Sequence, residues 1–248
     1  KFKPFNTLVI KDFVLGDSIA YAGSVTARFT LGGLIASDHI RIKSLKLKDG
    51  EFNLRIDDDG SNIAKLFGSK DKNKKDKTKS DKDLFSVDKV TLENLRYTMV
   101  NTKTGHDKKK KESGSISYDD MEISDLNLAA VDVGMSGGVV RAKVKNLSFS
   151  EKSGLEVKRM SGDVKVGNGL VDVVDLQYDD GWSNLDASVF QMHFDSSKDF
   201  SNYVNKVGMT LDLRKSILDF KTLGFYAAGL LNKDIHAVVE GRAEGPVN

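Results

Sequence analysis

The amino-acid sequence predicts a mostly β protein, either an elongated layered stack of strands or a closed antiparallel sandwich. Three observations carry this. The chain repeats one phrase, seen clearly in Val90-Thr-Leu92-Glu-Asn94-Leu95-Arg-Tyr97: two alternating apolar positions, a small polar residue, then two more apolar positions out of step with the first pair. Period-two alternation is the mark of a strand with one buried face. Copies begin at residues 8, 40, 90, 121, 142 and 171, and this loose spacing suits strand-sized units added one after another.

The other copies read Leu8, Ile10, Asp12, Phe13, Leu15; Ile40, Ile42, Ser44, Leu45, Leu47; Met121, Ile123, Asp125, Leu126, Leu128; Ala142, Val144, Asn146, Leu147, Phe149; and Val171, Val173, Asp175, Leu176, Tyr178. A slip of one residue would turn the second pair to the opposite face. A bulge at the Asp, Asn or Ser restores the phase and bends the strand. Each copy is therefore expected to be one kinked strand feeding a single apolar layer.

In chain order, Phe5 to Leu15 is the first such strand, and Ser18 to Ala27 is Gly- and Ala-containing and poorly patterned. Val25, Ala27, Phe29 and Leu31 then alternate up to Gly32-Gly33. After the second copy, Lys48-Asp49-Gly50 reads as a turn, which with Phe52, Leu54 and Ile56 predicts a hairpin. Asp57 to Asn62 closes it and supplies caps for a short helix, Ile63 to Phe67. Beyond Tyr178, Leu185 to Phe194 predicts another bulged strand, and Phe200, Tyr203, Val204 and Val207 fit a helical period. Val207 to Leu213 resumes a strand, Asp219 to Leu231 reads as helix or irregular cover, and Ile235 to Gly241 is the last strand.

Two stretches do not fit a core. Residues 68–83 hold seven Lys, four Asp and no apolar side chain, and 103–115 include Lys108 to Lys111. Mixed charge without hydrophobes predicts flexible insertions between strands. Contact with anionic lipid headgroups is the functional alternative for them.

Composition narrows the function. Lys plus Arg is 38 against 36 Asp plus Glu, a formal charge of +2, and no aromatic ladder accompanies the basic residues, so nucleic-acid binding is not expected. Cysteine is absent, which removes disulfides, thiolate metal sites and cysteine nucleophiles. No apolar run approaches the roughly 20 residues of a membrane span, and the chain starts at Lys1, as an excised or processed segment would. His39, His106, His193 and His236 are scattered, and no nucleophile elbow, P-loop or dinucleotide fingerprint appears. The expectation is a non-enzyme without a cofactor or bound metal. The carboxylates of Asp57 to Asp59, Asp119-Asp120 and Asp179-Asp180 suit turns. Trp182 is read as a packing or edge residue, since a sugar-stacking platform would want a second aromatic nearby.

Longer stretches resemble a known family. Leu45 to Phe67, with its Asp49-Gly50 step and Gly60-Ser61-Asn62-Ile63 leading into a short helix, is similar to the N-terminal part of the AsmA and TamB family of envelope proteins. Leu147 to Gly162, Asp175 to Tyr178, Ser183 to Leu185, Ile217 to Leu230 and Val238 to Asn248 are similar to the translocation-and-assembly-module members; Asp179-Asp180-Gly181-Trp182 departs from the pattern. The resemblance implies an elongated, twisted, U-shaped antiparallel β-groove (β-taco-like) with a few short helices, related to bridge-like lipid-transfer proteins. It also implies a single groove segment, 1–248, of a longer periplasmic protein held by an inner-membrane anchor upstream. The implied role is phospholipid transport between inner and outer membranes, with involvement of an outer-membrane assembly protein as partner.

The expected lining of that groove, in contact with phospholipid acyl chains, is the second pair of each repeat: Phe13, Leu15, Leu45, Leu47, Leu95, Tyr97, Leu126, Leu128, Leu147, Phe149, Leu176 and Tyr178. In a closed sandwich the same residues would simply fill the core. A second role, as a scaffold offering strand edges to folding outer-membrane proteins, would use the backbone rather than this lining; a third, as an extracellular carbohydrate-binding sandwich, would need the closed core.

Overall fold

The structure is a computed structural model describing residues 6–16, 18–29, 40–67, 83–103, 114–195, 206–226, 230 and 233–246. Its strands are β1 (Thr7–Leu15), β2 (Ala20–Phe29), β3 (Ile40–Asp57), β4 (Gly60–Ser61), β5 (Asp83–Asn101), β6 (Asp120–Ser136), β7 (Val139–Glu151), β8 (Glu156–Gly167), β9 (Leu170–Asp179), β10 (Asn184–His193), β11 (Gly208–Asp219) and β12 (His236–Pro246). Two short helices accompany them among the described residues, α1 (Asn62–Phe67) and α2 (Phe220–Tyr226).

All twelve strands belong to one open sheet, ordered along the chain from β1 to β12, with β4 paired only to β3. This is an elongated β architecture in one open sheet, and among the described residues no second sheet packs against the first, as a closed sandwich would require. Neighbours pair antiparallel except β3 and β5, which run parallel. Parallel pairing demands a crossover, and it falls between Asp57 and Asp83, where α1 is its described part.

The phase slips occur where the repeat places them. Asp12, Asn94, Asp125 and Asp175 all hold left-handed φ between 50° and 53°. Asp and Asn tolerate that region because their short polar side chains bond locally. At each slip two consecutive residues turn outward and the apolar pairs on both sides share a face. The slips are aligned across strands: Asp12 lies opposite Gly23, Gly23 opposite Asp49, and Asp49 beside Asn94, as the flanking pairs Lys11↔Ser24, Ala22↔Gly50 and Gly50↔Leu95 require. A crease therefore crosses the sheet. Register shifts at Leu92/Leu95, Ser124/Asn127, Val144/Leu147 and Ser161/Asp163 carry it on through β5 to β9. Ser44 and Asn146 slip without positive φ. On β3 the shift lies beside Arg28 and Phe29 of β2.

Three expectations need correction. The hairpin at Lys48-Asp49-Gly50 does not form: β3 runs unbroken from Ile40 to Asp57, and Asp49, at φ 52°, is a crease residue. The poorly patterned stretch after Ser18 is β2, whose Ala20, Ala22 and Ala27 face the apolar side with side chains too small to register as a pattern. The sheet is also not wholly antiparallel. The charged stretch 68–83 lies outside the described residues except for Asp83, which opens β5; 103–115 is described only at Lys103, Gly114 and Ser115, and the helical period around Phe200 to Val204 also falls outside.

Helix α1 forms as its caps predict. Ser61 Oγ accepts the backbone N–H of Ala64 at 3.1 Å, and Asn62 ties the helix to β3 by donating to Asn53 O at 2.7 Å and accepting from Arg55 N at 3.1 Å. Helix α2 occupies part of the stretch from Asp219 to Leu231. Its Phe225 joins Leu155 and Val157 in a small closed cluster, with Ile116, Phe149, Met160 and Tyr178 packed around it.

A candidate site on the open apolar face

The apolar face is built strand by strand from facing pairs. Residues directly opposite in a ladder share a side of the sheet, so a row can be followed from one strand to the next. One row runs Ile10, Val25, Leu47, Leu92, Leu128, Leu147, Met160 and Tyr178. A second runs Leu15, Ala20, Phe52, Tyr97 and Ile123, and within it the rings of Phe52 and Tyr97 stack at 5.9 Å. Leu95 and Leu126 face each other between these rows.

All twelve residues expected to line a groove lie on this face, and every one is half-buried. None is fully buried and none is exposed. Leucines in a sealed core lose nearly all contact with water, whereas these side chains keep part of theirs. The fully buried apolar residues are mostly small or lie elsewhere, including Ala22, Ala27, Ala130 and Ala187. Gly50 is required at the crease on this face: a Cβ there would lie 2.8 Å from Tyr21 O and 2.9 Å from Leu95 Cδ2.

The face is not uniform. Phe149 and Tyr178 sit beneath α2 against the Leu155, Val157 and Phe225 cluster, so at this end the strip is covered. Burial, together with neighbouring Tyr226 and Asp180, pushes the Tyr178 hydroxyl far above the ordinary phenol range. That hydroxyl donates to Asp180 Oδ2 at 3.1 Å. Burial alone raises Tyr97. The sequence reading singled out only the second pair of each repeat. The first pairs line the face equally, because the crease brings both into phase: Leu92, Val144 and Val173 are examples.

Polar groups are few along the rows: Glu151, opposite Ile123 at the end of the second row, is buried, and the rest lie toward the margins. Asp180 is almost fully buried; its Oδ1 accepts from Trp182 N at 2.9 Å and Ser183 N at 2.7 Å, and its Oδ2 from Thr222 Oγ1 at 2.6 Å. Ser183 Oγ donates to Thr222 Oγ1 at 2.7 Å and accepts from Asp219 N at 2.9 Å. This network fastens α2 and the start of β10 to the sheet, which is what the Asp-Asp-Gly-Trp departure accomplishes. His236 sits exposed on β12 with Nδ1 2.7 Å from buried Asp219 Oδ2. Ser183 is committed to Thr222 and Asp219 rather than to His236, so the three do not form a nucleophile relay. Asp57 and Asp179 accept backbone N–H groups two residues on, at 3.0 and 2.7 Å, as turn carboxylates do. Among the described residues no group of three or more acidic or histidine side chains is placed to hold a metal. His39 and His106 lie outside the described residues.

Across the crease the outward side chains are bonded to one another. Arg214 bridges Asp175 at 2.7 Å and Asp186 at 2.6 Å, and the guanidinium with the Gln177 amide holds the Asp186 carboxyl below its usual range. No family model, curated protein or solved structure matches the chain.

Proposed function

We propose that the open face shields the acyl chains of phospholipid as a non-enzymatic segment of an envelope protein of the AsmA and TamB kind, supporting transport between inner and outer membranes. The observation that carries this reading is the uniform half-burial of its twelve predicted lining residues on one face of an unclosed sheet. Exposing a lipid tail to water costs about 0.8 kcal/mol per methylene, so a carrier across an aqueous space needs continuous apolar surface. With few polar groups along the rows, headgroup selectivity would be low. Native mass spectrometry of the purified chain tests the reading: copurified phospholipid supports it, and a lipid-free spectrum after expression in a membrane-rich host counts against it.

The second reading, a scaffold for folding outer-membrane proteins, is favoured by one observation: β1 and β12 each have a single strand neighbour among the described residues. Leu126→Asp and Leu147→Asp separate the two. Lost lipid with intact client assembly supports transport; unchanged lipid with failed assembly supports the scaffold.

A further inference from the structure

The two sheet edges differ in kind. β12, reading His236-Ala-Val-Val-Glu-Gly-Arg-Ala-Glu-Gly-Pro246, is broken by glycines at φ 129° and 140° and carries three charged residues beyond Val239. Such features blunt an edge against pairing. β1 carries fewer of them: one central charged pair, Lys11 and Asp12, with the crease at Asp12, and no glycine. Its sequence Thr7-Leu-Val-Ile-Lys-Asp-Phe-Val-Leu15 lacks Gly and Pro and is apolar on both faces, with Leu8 50%, Val9 55% and Val14 63% exposed and Tyr21 of β2 beside Val14 at 43%.

That strand is also a palindrome in chemical type. Folded against a second copy of itself, antiparallel, about a centre between Lys11 and Asp12, it sets Leu8 opposite Leu15, Val9 opposite Val14, Ile10 opposite Phe13, and Lys11 opposite Asp12. The crease makes this register work. Leu8, Ile10, Phe13 and Leu15 share the apolar face because the slip at Asp12 changes the phase, so each inward residue meets an inward one and Val9 meets Val14 on the outer side. β1 already uses the same arrangement with β2, where Ile10 faces Val25, Phe13 faces Ala22 and the two crease residues face two crease residues. Lys11 has no charged partner in its own chain among the described residues, and Asp12 is held only by the Tyr21 hydroxyl at 3.2 Å.

We infer that β1 is a homodimerisation edge that pairs with β1 of a second copy across a two-fold axis normal to the sheet. Both open apolar faces then lie on the same side, and the crease runs continuously through the joint. The interface is isologous and closes at two copies. It does not depend on what the apolar face binds.

Sedimentation and thiol trapping test the pairing. The chain has no cysteine, so introduced thiols are the only ones. A mixture of Val9→Cys and Val14→Cys chains is expected to form an oxidised mixed dimer, whereas Val9→Cys alone should not, since two copies of residue 9 would sit about 17 Å apart at ~3.4 Å per residue. Lys11→Asp alone and Asp12→Lys alone should each weaken the dimer about tenfold or more, because opposite charges become like charges at both symmetry-related positions. Mixing the two variants should restore it. Circular dichroism checks that each variant folds, and the thiol pair decides the matter if Asp12→Lys does not. A monomer throughout, self-trapping of Val9→Cys equal to the mixed product, or association unaffected by Lys11→Asp would overturn the inference.

Discussion

Asn94 on β5 donates through Nδ2 to Asp49 Oδ1 on β3 at 2.7 Å, and both residues hold left-handed backbone, at φ 53° and 52°. The bond joins two crease residues across the parallel pair of the sheet. Asn127 continues the contact: its Oδ1 accepts the Asn94 backbone N–H at 3.0 Å and its Nδ2 donates to Asp125 O at 2.7 Å. The crease is thus a bonded line of side chains as well as a change of phase, and it keeps both halves of each strand facing one apolar surface.

Asn94→Ala should destabilise the chain by about 1–2 kcal/mol, the usual penalty for left-handed φ without Asn, Asp or Gly. Asn94→Gly should cost less than half as much, since glycine accepts the backbone and loses only an exposed bond. Urea unfolding of both variants measures the difference. Equal losses would place the cost in the side-chain contact instead.

The network around α2 gives a second prediction. Phe225→Ala should cost about 3 kcal/mol by opening the Leu155 and Val157 cluster. Trp182, the only tryptophan, lies 5.8 Å from the Phe225 ring between centroids. Its emission should therefore change in the native state of the variant, and an unaltered spectrum with unaltered stability would show that α2 is not docked there.

Tyr178 predicts an alkaline limb. Its folded pKa is raised, chiefly by burial. Below about pH 10, the ordinary phenol value, both folded and unfolded chains hold the proton and the full stability is present. As pH rises above that value the unfolded chain ionises first, so stability falls toward the folded pKa. Tyr178→Phe should flatten stability against pH between about pH 9.5 and 11 in urea titrations. A limb of undiminished slope would assign it to other groups.

Asp57 and Lys65 make the corresponding acid prediction. The Lys65 ammonium, 2.7 Å away, lowers the Asp57 pKa, so the contribution is present above the unfolded carboxylate value near pH 4 and is lost as pH falls through the folded one. Both groups are exposed, and the effect should be small and vanish at high salt. Amide exchange in α1 of Asp57→Asn, compared with the parent at pH 6 and pH 3, reads it: the two chains should differ at the higher pH only.

Much of this fold could be read from residue spacing because a phase slip leaves a mark that a straight strand does not. All six copies form strands that change phase at the residue named, from Asp12 to Asp175. The error at Lys48-Asp49-Gly50 has a physical origin: an Asp in left-handed backbone followed by Gly serves a tight turn and a crease equally well, and only the ladder to Asn94 and Gly23 distinguishes them. The first half of β2 was hidden by Ala20 and Ala22, and β8 by Glu156, Lys158, Arg159 and Asp163 on its outer side. Whether the apolar face is open or sealed was not legible at all. A leucine covered by its lateral neighbours and one covered from above have the same place in the repeat, and half-burial appears only once the sheet is assembled.

The most direct test of the account places a photoreactive benzoylphenylalanine at Leu126, on the apolar face, and in a second chain at Arg96, on the outer side of β5. Irradiation in cells should yield phospholipid adducts at position 126 and few or none at 96. Adducts at both positions in equal amount, or at neither while the chains remain folded, would contradict a lipid-shielding face.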